Sequence, residues 1–196
     1  MDAVSTCEIP VAPAIHPAVL RRHSPMAFEP GAEISDDALD TILDAGRLAP
    51  SAGNSQPWAF VVGRRGDAVH ARIVRHLAGS SARWAPDASA IVVNLARVLV
   101  EDTDWEYSEF SRYDLGQAVA HMTLQALSIG IDAHQFRAFD RDAVAAEFSV
   151  PREWEVTSMT AFGVAAHAAG TVAGVARERR SRGDVTWARV RADEPR

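Results

Sequence analysis

The sequence predicts a layered α+β or α/β fold, in which helices are interleaved with three or four strands. A long segment with apolar residues every three or four positions, from Leu115 to Ile129, predicts a core helix. Two apolar runs that contain β-branched residues, 58–62 and 90–95, predict buried strands. The predicted helices and strands do not alternate regularly, so the pattern alone does not choose between the two arrangements.

The first predicted helix follows Ser35, a favourable N-cap residue, and has Asp36 and Asp37 in its first turn. Pro50 ends this helix. The apolar run 58–62 that comes next lies between a proline and a glycine, as is typical of a buried strand. The residues of the helix that fall near one face are Leu39, Ile42, Leu43 and Leu48.

The middle of the chain predicts a helix over residues 67–77, a loop over residues 79–86 and the second buried strand over residues 90–95. The long helix that follows ends at Gly130, because glycine favours the conformation of a C-terminal cap.

The last elements are a short helix and a strand. Asp140 is expected to cap a helix that runs to Phe148, and Pro151 separates it from a final strand over residues 156–165. No repeat and no linker divides the chain, which predicts one domain with loose ends.

The composition excludes several kinds of chemistry. All 20 basic residues are arginines, so a Schiff base, a Walker lysine and a Ser-Lys dyad are excluded. The single cysteine, Cys7, excludes an internal disulfide and a cysteine-rich metal site, and no role is assigned to it.

The net charge of −6 gives no general attraction to nucleic acid or to anionic lipid. The longest apolar stretch, 88–100, is interrupted by Asn94 and Arg97 and is too short to cross a bilayer. The first twenty residues lack the features of a signal peptide. We therefore expect a cytoplasmic protein without membrane or nucleic-acid partners, which binds small molecules or a second copy of itself.

Residues 50–58, Pro-Ser-Ala-Gly-Asn-Ser-Gln-Pro-Trp, join a predicted helix to a predicted strand. One interpretation is a turn in which Asn54 and Gln56 satisfy backbone groups. The other is a binding loop, whose N–H groups and amides contact a planar polar ligand while Trp58 anchors the loop to the core.

Two arginine clusters are candidates for a phosphate site. Arg21 and Arg22 precede Ser24, and a guanidinium group with a nearby hydroxyl can hold a phosphate. The second cluster lies near the C-terminus and consists of Arg177, Arg179, Arg180 and Arg182. Each cluster taken alone is better explained as a solvated surface, and only folding can bring the two together on one phosphate.

A metal site is not expected, because His121, His134 and His167 do not have the spacing of metal ligands. The motifs of the α/β-hydrolase nucleophile and of Rossmann dinucleotide binding are absent from the sequence.

Together these segments resemble the FMN-dependent nitroreductase family. Residues 22–28, Arg-His-Ser-Pro-Met-Ala-Phe, are similar to its phosphate-binding opening, Arg-x-Ser-x-(Arg/Lys)-x-Phe. Residues 50–58 are similar to its signature Pro-Ser-x-x-Asn-x-Gln-Pro-Trp. Residues 113–118 and 130–140 are similar to the region that faces the flavin ring. The resemblance divides the chain into a flexible segment (1–17), one FMN-binding domain (18–185) and a tail (186–196).

The resemblance implies an α+β fold with a central, mostly antiparallel sheet flanked by helices, and an intertwined homodimer with FMN at the interface. It implies that the phosphate and ribityl end of FMN is held by Arg22, His23, Ser24, Arg180 and Arg182. It implies that the partner subunit contributes Pro50, Ser51, Ala52 and Asn54. The remaining implied contacts, along the other side of the ring and at its pyrimidine edge, are Gln135, Phe136, Arg137, Ala138 and Ser81.

The sequence departs from the family pattern at two positions beside the implied flavin. Met26 stands where the family usually has lysine or arginine, and Trp84 stands at a second basic position. Fewer cations near the ring lower its reduction potential and weaken its binding, because the reduced flavin is negatively charged. Arg137 is a candidate for restoring a positive charge.

The implied activity is a ping-pong oxidoreductase, which moves two electrons from NADH or NADPH through flavin N5 to an acceptor such as a nitroaromatic or quinone. No catalytic side chain is expected. The aromatic segment 105–113 is a candidate for the acceptor pocket, for the core or for a dimer contact. The alternative functions are an FMN-sequestering protein with little reductase activity and a flavin-free dimerisation module.

Overall fold

A computed structural model describes residues 14–166 and 179–189 of the chain. A four-stranded sheet with the order β1-β2-β4-β3 forms the centre of the fold. Its strands are β1 (Trp58–Arg64), β2 (Ala90–Arg97), β3 (Asp132–Phe136) and β4 (Trp154–Gly163). Each neighbouring pair is antiparallel, which confirms the α+β class and its antiparallel sheet.

The inner strand β2 and the edge strand β1 differ in burial. In β2 every residue from Ala90 to Ala96 is buried, because helices cover both faces of the sheet. The strand therefore lacks the polar alternation of a half-exposed strand, as the sequence predicted. The prediction that residues 58–62 form a strand is confirmed, but the expected burial is only partial, because β1 is an edge strand.

Two helices cover one face of the sheet. Helix α2 (Asp36–Arg47) starts at Ser35, whose side chain accepts a hydrogen bond from the Ala38 N–H, as predicted. Helix α4 (Ser111–Ser128) packs against it, and Gly46 permits the close approach because a Cβ there would lie 2.7 Å from the Met122 side chain. Leu48 was predicted to lie on the apolar face of this helix. It instead follows the helix and is 71% exposed, so it is not part of the core.

Two shorter helices lie on the other face. Helix α3 (Ala68–Val74) begins after Asp67, and helix α5 (Arg141–Glu147) begins after the predicted cap Asp140. The two caps each accept a hydrogen bond from a backbone N–H in the first turn. Residues 79–86 form a loop, and a short 3-10 turn, Ala85–Asp87, begins at its end. Trp84 and Ala85 of this loop belong to the hydrophobic core on this face of the sheet.

Strand β3 was not predicted. Helix α4 ends at Ser128, and Gly130 follows with φ of 82°, so the chain reverses immediately into the strand. The short sequence Asp-Ala-His-Gln-Phe has little hydrophobic alternation, and its pairing with β4 determines its structure.

The ends of the chain lie partly outside the described residues. Helix α1 (Pro17–Arg21) and helix α6 (Arg182–Val185) are described, whereas Cys7, His167 and Arg177 are not. The predicted boundaries 1–17 and 186–196 also fall partly outside, and the division into three parts stays a prediction. In the part of the chain that the structure describes, no helix is long and apolar enough to span a membrane.

Candidate functional site

The segment after helix α1 presents a guanidinium group and a hydroxyl group together. Arg22 follows the helix directly, and its Nη1 donates a hydrogen bond of 3.3 Å to Ser24 Oγ. The chain then passes along the end of β4, where Phe28 forms a bridge with Ala165 and is buried. The arrangement holds two phosphate-binding groups next to each other at one corner of the sheet.

His23 lies between these two residues in the chain, and its ring carries buried polar atoms. Both of its ring nitrogens are buried and have no hydrogen-bond partner among the described residues. The Asp132 carboxyl at the start of β3 lies 3.7 Å away, measured from Nδ1 to Oδ1, and this carboxyl accepts a hydrogen bond from the Ala165 N–H. Unsatisfied buried nitrogens beside Arg22 and Ser24 fit a site that is completed by a polar ligand.

His134 connects the same segment to β3. Its Nδ1 donates a 2.7 Å hydrogen bond to the Pro25 carbonyl oxygen, and its ring stacks on Trp84 with 4.3 Å between centroids. Burial lowers the pKa of His134, the hydrogen bond to Pro25 opposes this, and the nearby positive charge of Arg22 lowers the pKa further. The imidazole is thus held neutral, with its proton on Nδ1.

We expect the free energy of unfolding to decrease as the pH falls below 6.5, the ordinary histidine pKa. The unfolded chain takes up protons there, while burial keeps the pKa values of His134 and His70 lowered in the fold. Urea unfolding at a series of pH values measures this slope. His134→Phe keeps a ring on Trp84 without a titrating nitrogen, so its slope should be shallower; an equal slope would contradict the assignment.

The predicted flavin-side segment has four different environments. Gln135 is exposed, and its Nε2 donates a 3.0 Å hydrogen bond to Thr123 Oγ1 on α4. The Phe136 side chain points into the hydrophobic core, so only its backbone is available to a ligand. Arg137 is exposed, with its guanidinium 5.3 Å from the Phe139 ring centroid. The Ala138 carbonyl accepts a bond from the Ala78 N–H.

Ser81 has a structural bonding pattern. It is buried, and its hydroxyl lies within hydrogen-bonding distance of the carbonyl oxygens of Ala78 and Ala138. The side chain therefore ties the loop 79–86 to the residues after β3. Its predicted contact with a flavin stays a prediction.

The loop between α2 and β1 has an unusual backbone. Gly53, Asn54 and Gln56 have φ values of 59°, 56° and 48°, in the left-handed region. The Ser51 hydroxyl accepts a 3.0 Å bond from the Gln56 N–H, and the Ala52 N–H donates a 3.0 Å bond to the Asp114 carboxyl. The loop is thus a fixed conformation rather than a simple turn, and Pro50, Ala52 and Asn54 are exposed on it.

The C-terminal arginines are exposed on a short separate segment. The Arg180 guanidinium donates a hydrogen bond to the Asp184 carbonyl oxygen, and Ser181 and Asp184 form a capping box at α6. Arg182 begins this helix. The predicted meeting of these arginines with Arg22 on one phosphate stays a prediction.

The two positions without the expected cations differ in the fold. Met26 is 61% exposed, next to the candidate phosphate residues. Trp84 is 6% exposed and packs between Phe28, His134 and Phe136. Its side chain is therefore part of the core, so a lysine or arginine cannot occupy this position in the same orientation.

The acidic aromatic segment 101–113 is mostly exposed. Trp105, Phe110 and Tyr113 lie at the surface, whereas the Tyr107 hydroxyl donates a 3.2 Å bond to the Ser55 carbonyl and so contacts the loop. Tyr107, Asp114 and Asp132 are functional candidates that the sequence did not single out individually. Their contacts join residues that are 33 to 62 positions apart in the chain, and no local pattern contains them.

Comparison with known proteins agrees with this description. Residues 19–95 match the sequence profile of the Nitroreductase family. An oxygen-insensitive NAD(P)H nitroreductase of Salmonella typhimurium is 34% identical over 86 residues, which are 42% of this chain and 39% of that protein. A Staphylococcus epidermidis protein that is provisionally named an NAD(P)H nitroreductase is 26% identical over 159 residues, 63% of this chain and 72% of that one.

The fold is also found in solved structures. A crystal structure described as an oxidoreductase containing FMN superposes with a TM-score of 0.73 at 28% identity, over 81% of this chain and 80% of that one. The chain is therefore related to the nitroreductases in sequence and in fold, and the resemblance carried by its motifs is confirmed.

Proposed function

We propose that this chain is an FMN-dependent NAD(P)H oxidoreductase, which acts on an electron-poor acceptor such as a nitroaromatic or a quinone. The observation that carries the proposal is the corner where Arg22 is hydrogen-bonded to Ser24 and where the residue between them, His23, has two buried ring nitrogens without a hydrogen-bond partner among the described residues. It combines a guanidinium, a hydroxyl and an imidazole, and these donors suit the phosphate and ribityl groups of FMN. The related oxidoreductase structure contains FMN.

The residues of the chain bind and orient the cofactor in this proposal. Arg22 and Ser24 bind the phosphate, while Gln135 and the backbone of residues 136–138 border the ring. Bound FMN supplies the acceptance and release of two electrons, which no side chain of the protein can perform. The protein contributes position, charge and exclusion of water.

A homodimer completes the proposed site. Ile15, Val19 and Leu20 are large exposed apolar residues at or beside helix α1, and Val164 is exposed near the same corner. Such a patch next to Arg22 suits burial against a second copy. In that dimer Pro50, Ser51, Ala52 and Asn54 of one subunit border the cofactor of the other.

The proposal is tested by the visible absorption spectrum of the purified protein under anaerobic conditions. We expect an oxidised flavin spectrum that bleaches within minutes when NADH or NADPH is added, and that returns when a nitroaromatic or a quinone follows. Protein without flavin that takes up no added FMN would contradict cofactor binding. A bound flavin that stays oxidised would exclude the reductase activity but not the binding of FMN.

One observation favours a second candidate, an FMN-sequestering protein with little reductase activity. Met26 and the buried Trp84 leave both expected cation positions without charge, although Arg137 lies exposed on the adjacent segment. A low flavin potential would then slow reduction by the nicotinamide. The same spectrum distinguishes this function, because the bound flavin would stay oxidised.

A further inference from the structure

Asp114 is a buried acidic residue that has no place in the function proposed above. It lies in the first turn of helix α4 and is 2% exposed. Its Oδ2 accepts the 3.0 Å hydrogen bond from the Ala52 N–H, across 62 positions of sequence. An aspartate is rarely this buried unless it is paired, so the interaction with the loop explains its presence in the core.

The loop needs an external constraint. Three residues in the left-handed region within four positions are unfavourable, and the two that are not glycine, Asn54 and Gln56, each cost on the order of 1 kcal/mol or more. Most hydrogen bonds of the loop are internal, such as the bond from the Gln56 N–H to Ser51. Asp114 connects the loop to α4, and Tyr107 connects it to the segment 101–113.

The hydrogen bond that Asp114 accepts from the Ala52 N–H is the stronger of these two connections. A carboxylate acceptor roughly doubles the strength of a hydrogen bond from a backbone N–H. Near the start of a helix, the free N–H groups and the helix dipole also favour a negative charge. By contrast, the Tyr107 hydroxyl makes a neutral bond of 3.2 Å.

We infer that Asp114 is a positioning residue, which holds the loop 51–56 in the conformation that borders the cofactor. It is too deeply buried to touch the cofactor, and it acts through the Ala52 backbone. The cofactor part of this inference rests on the proposed function. In a dimer, the buried carboxyl of one subunit would then control the affinity of the site in the other subunit.

The test compares Asp114→Ala, Asp114→Asn and Ser111→Ala in the FMN-loaded full-length protein. Asp114→Ala should raise the Kd for FMN about 10- to 100-fold, since a hydrogen bond to a charged group is lost. Asp114→Asn keeps an oxygen acceptor and should restore the Kd to within about fivefold. Ser111→Ala is the matched control, because Ser111 lies buried in the same turn and its hydroxyl has no partner among the described residues.

Hydrogen exchange of the Ala52 amide tests the positioning role without reference to FMN. This exchange should be at least about tenfold faster in Asp114→Ala than in Asp114→Asn or Ser111→Ala. Ala52→Pro is a second variant that leaves the helix intact and removes the donor; the extended Ser51 backbone, with φ of −147°, accepts a following proline. It should raise the Kd as Asp114→Ala does.

The outcomes separate the two proposals. If the wild-type protein binds no FMN, the proposed function fails, and the exchange of Ala52 still decides the role of Asp114. Unchanged Ala52 exchange in Asp114→Ala overturns the inference. So does a normal FMN affinity in Ala52→Pro when the wild-type protein binds FMN.

Discussion

Replacing Trp84 with arginine should lower the free energy of unfolding by about 3–5 kcal/mol, the range expected when a large aromatic side chain is lost from a core. Trp84 contacts the rings of Phe28, His134 and Phe136, and its side chain is 6% exposed. A buried guanidinium without a partner adds to the cost. Urea unfolding measures the loss, and the dependence of the free energy of unfolding on urea concentration is compared with that of the wild type.

The matched control is Met26→Arg, which introduces the same side chain at an exposed position. It should change the free energy of unfolding by no more than about 0.5 kcal/mol. In the FMN-loaded protein it should also raise the flavin reduction potential, since a cation near the ring favours the reduced anion. Equal stability of the two variants would show that Trp84 is not a core residue.

Replacing Arg22 with alanine should raise the Kd for FMN about 10- to 150-fold, because a charge-assisted hydrogen bond to a phosphate is worth about 1.5–3 kcal/mol. Fluorescence titration of the flavin-free protein with FMN measures this change. Arg180→Ala should have a similar effect if the C-terminal segment reaches the same phosphate.

Arg47→Ala is the control for the loss of a positive charge. Arg47 is exposed on α2 and forms an ion pair with Asp44, three residues earlier. Its removal should change the Kd less than twofold, because an exposed charge that is paired with a neighbouring carboxylate is largely screened at physiological ionic strength. An Arg22→Ala effect no larger than that of Arg47→Ala would remove Arg22 from the site.

Local signals in the sequence predicted much of the fold. Ser35 and Asp140 cap the helices that they were expected to cap, and the apolar run 90–95 forms the inner strand. These features depend on residues within one helical turn or one strand, so a single sequence contains them. Two expectations about burial failed. Leu48, at the end of α2, is exposed, and β1 is only partly buried because it is an edge strand. Exposure at a helix end or at a sheet edge depends on the packing of the whole fold.

Residue chemistry made the Arg22 segment and the loop 50–58 candidates for a binding site, but it left a solvated surface and a simple turn as alternatives. The order of several motifs, which is that of a known family, decided in favour of binding. The contacts that support them could not be predicted in this way, because Asp132 and Asp114 meet their partners only after the sheet and α4 have formed. Trp84 is the clearest case: at a position that the family resemblance assigned to a basic residue near the flavin, this chain has a residue of the hydrophobic core.

The order of the strands has a consequence for how a cofactor is retained. The Arg22 corner lies beside the start of β3, whereas the loop 50–56 precedes β1, on the opposite edge and at the opposite end of the sheet. Three strand spacings and six residues of strand separate these corners by about 14 Å across and about 20 Å along the sheet. If FMN contacts both corners, as proposed above, it bridges two copies of the chain, and dilution below the dimer dissociation constant would then release cofactor and subunit together.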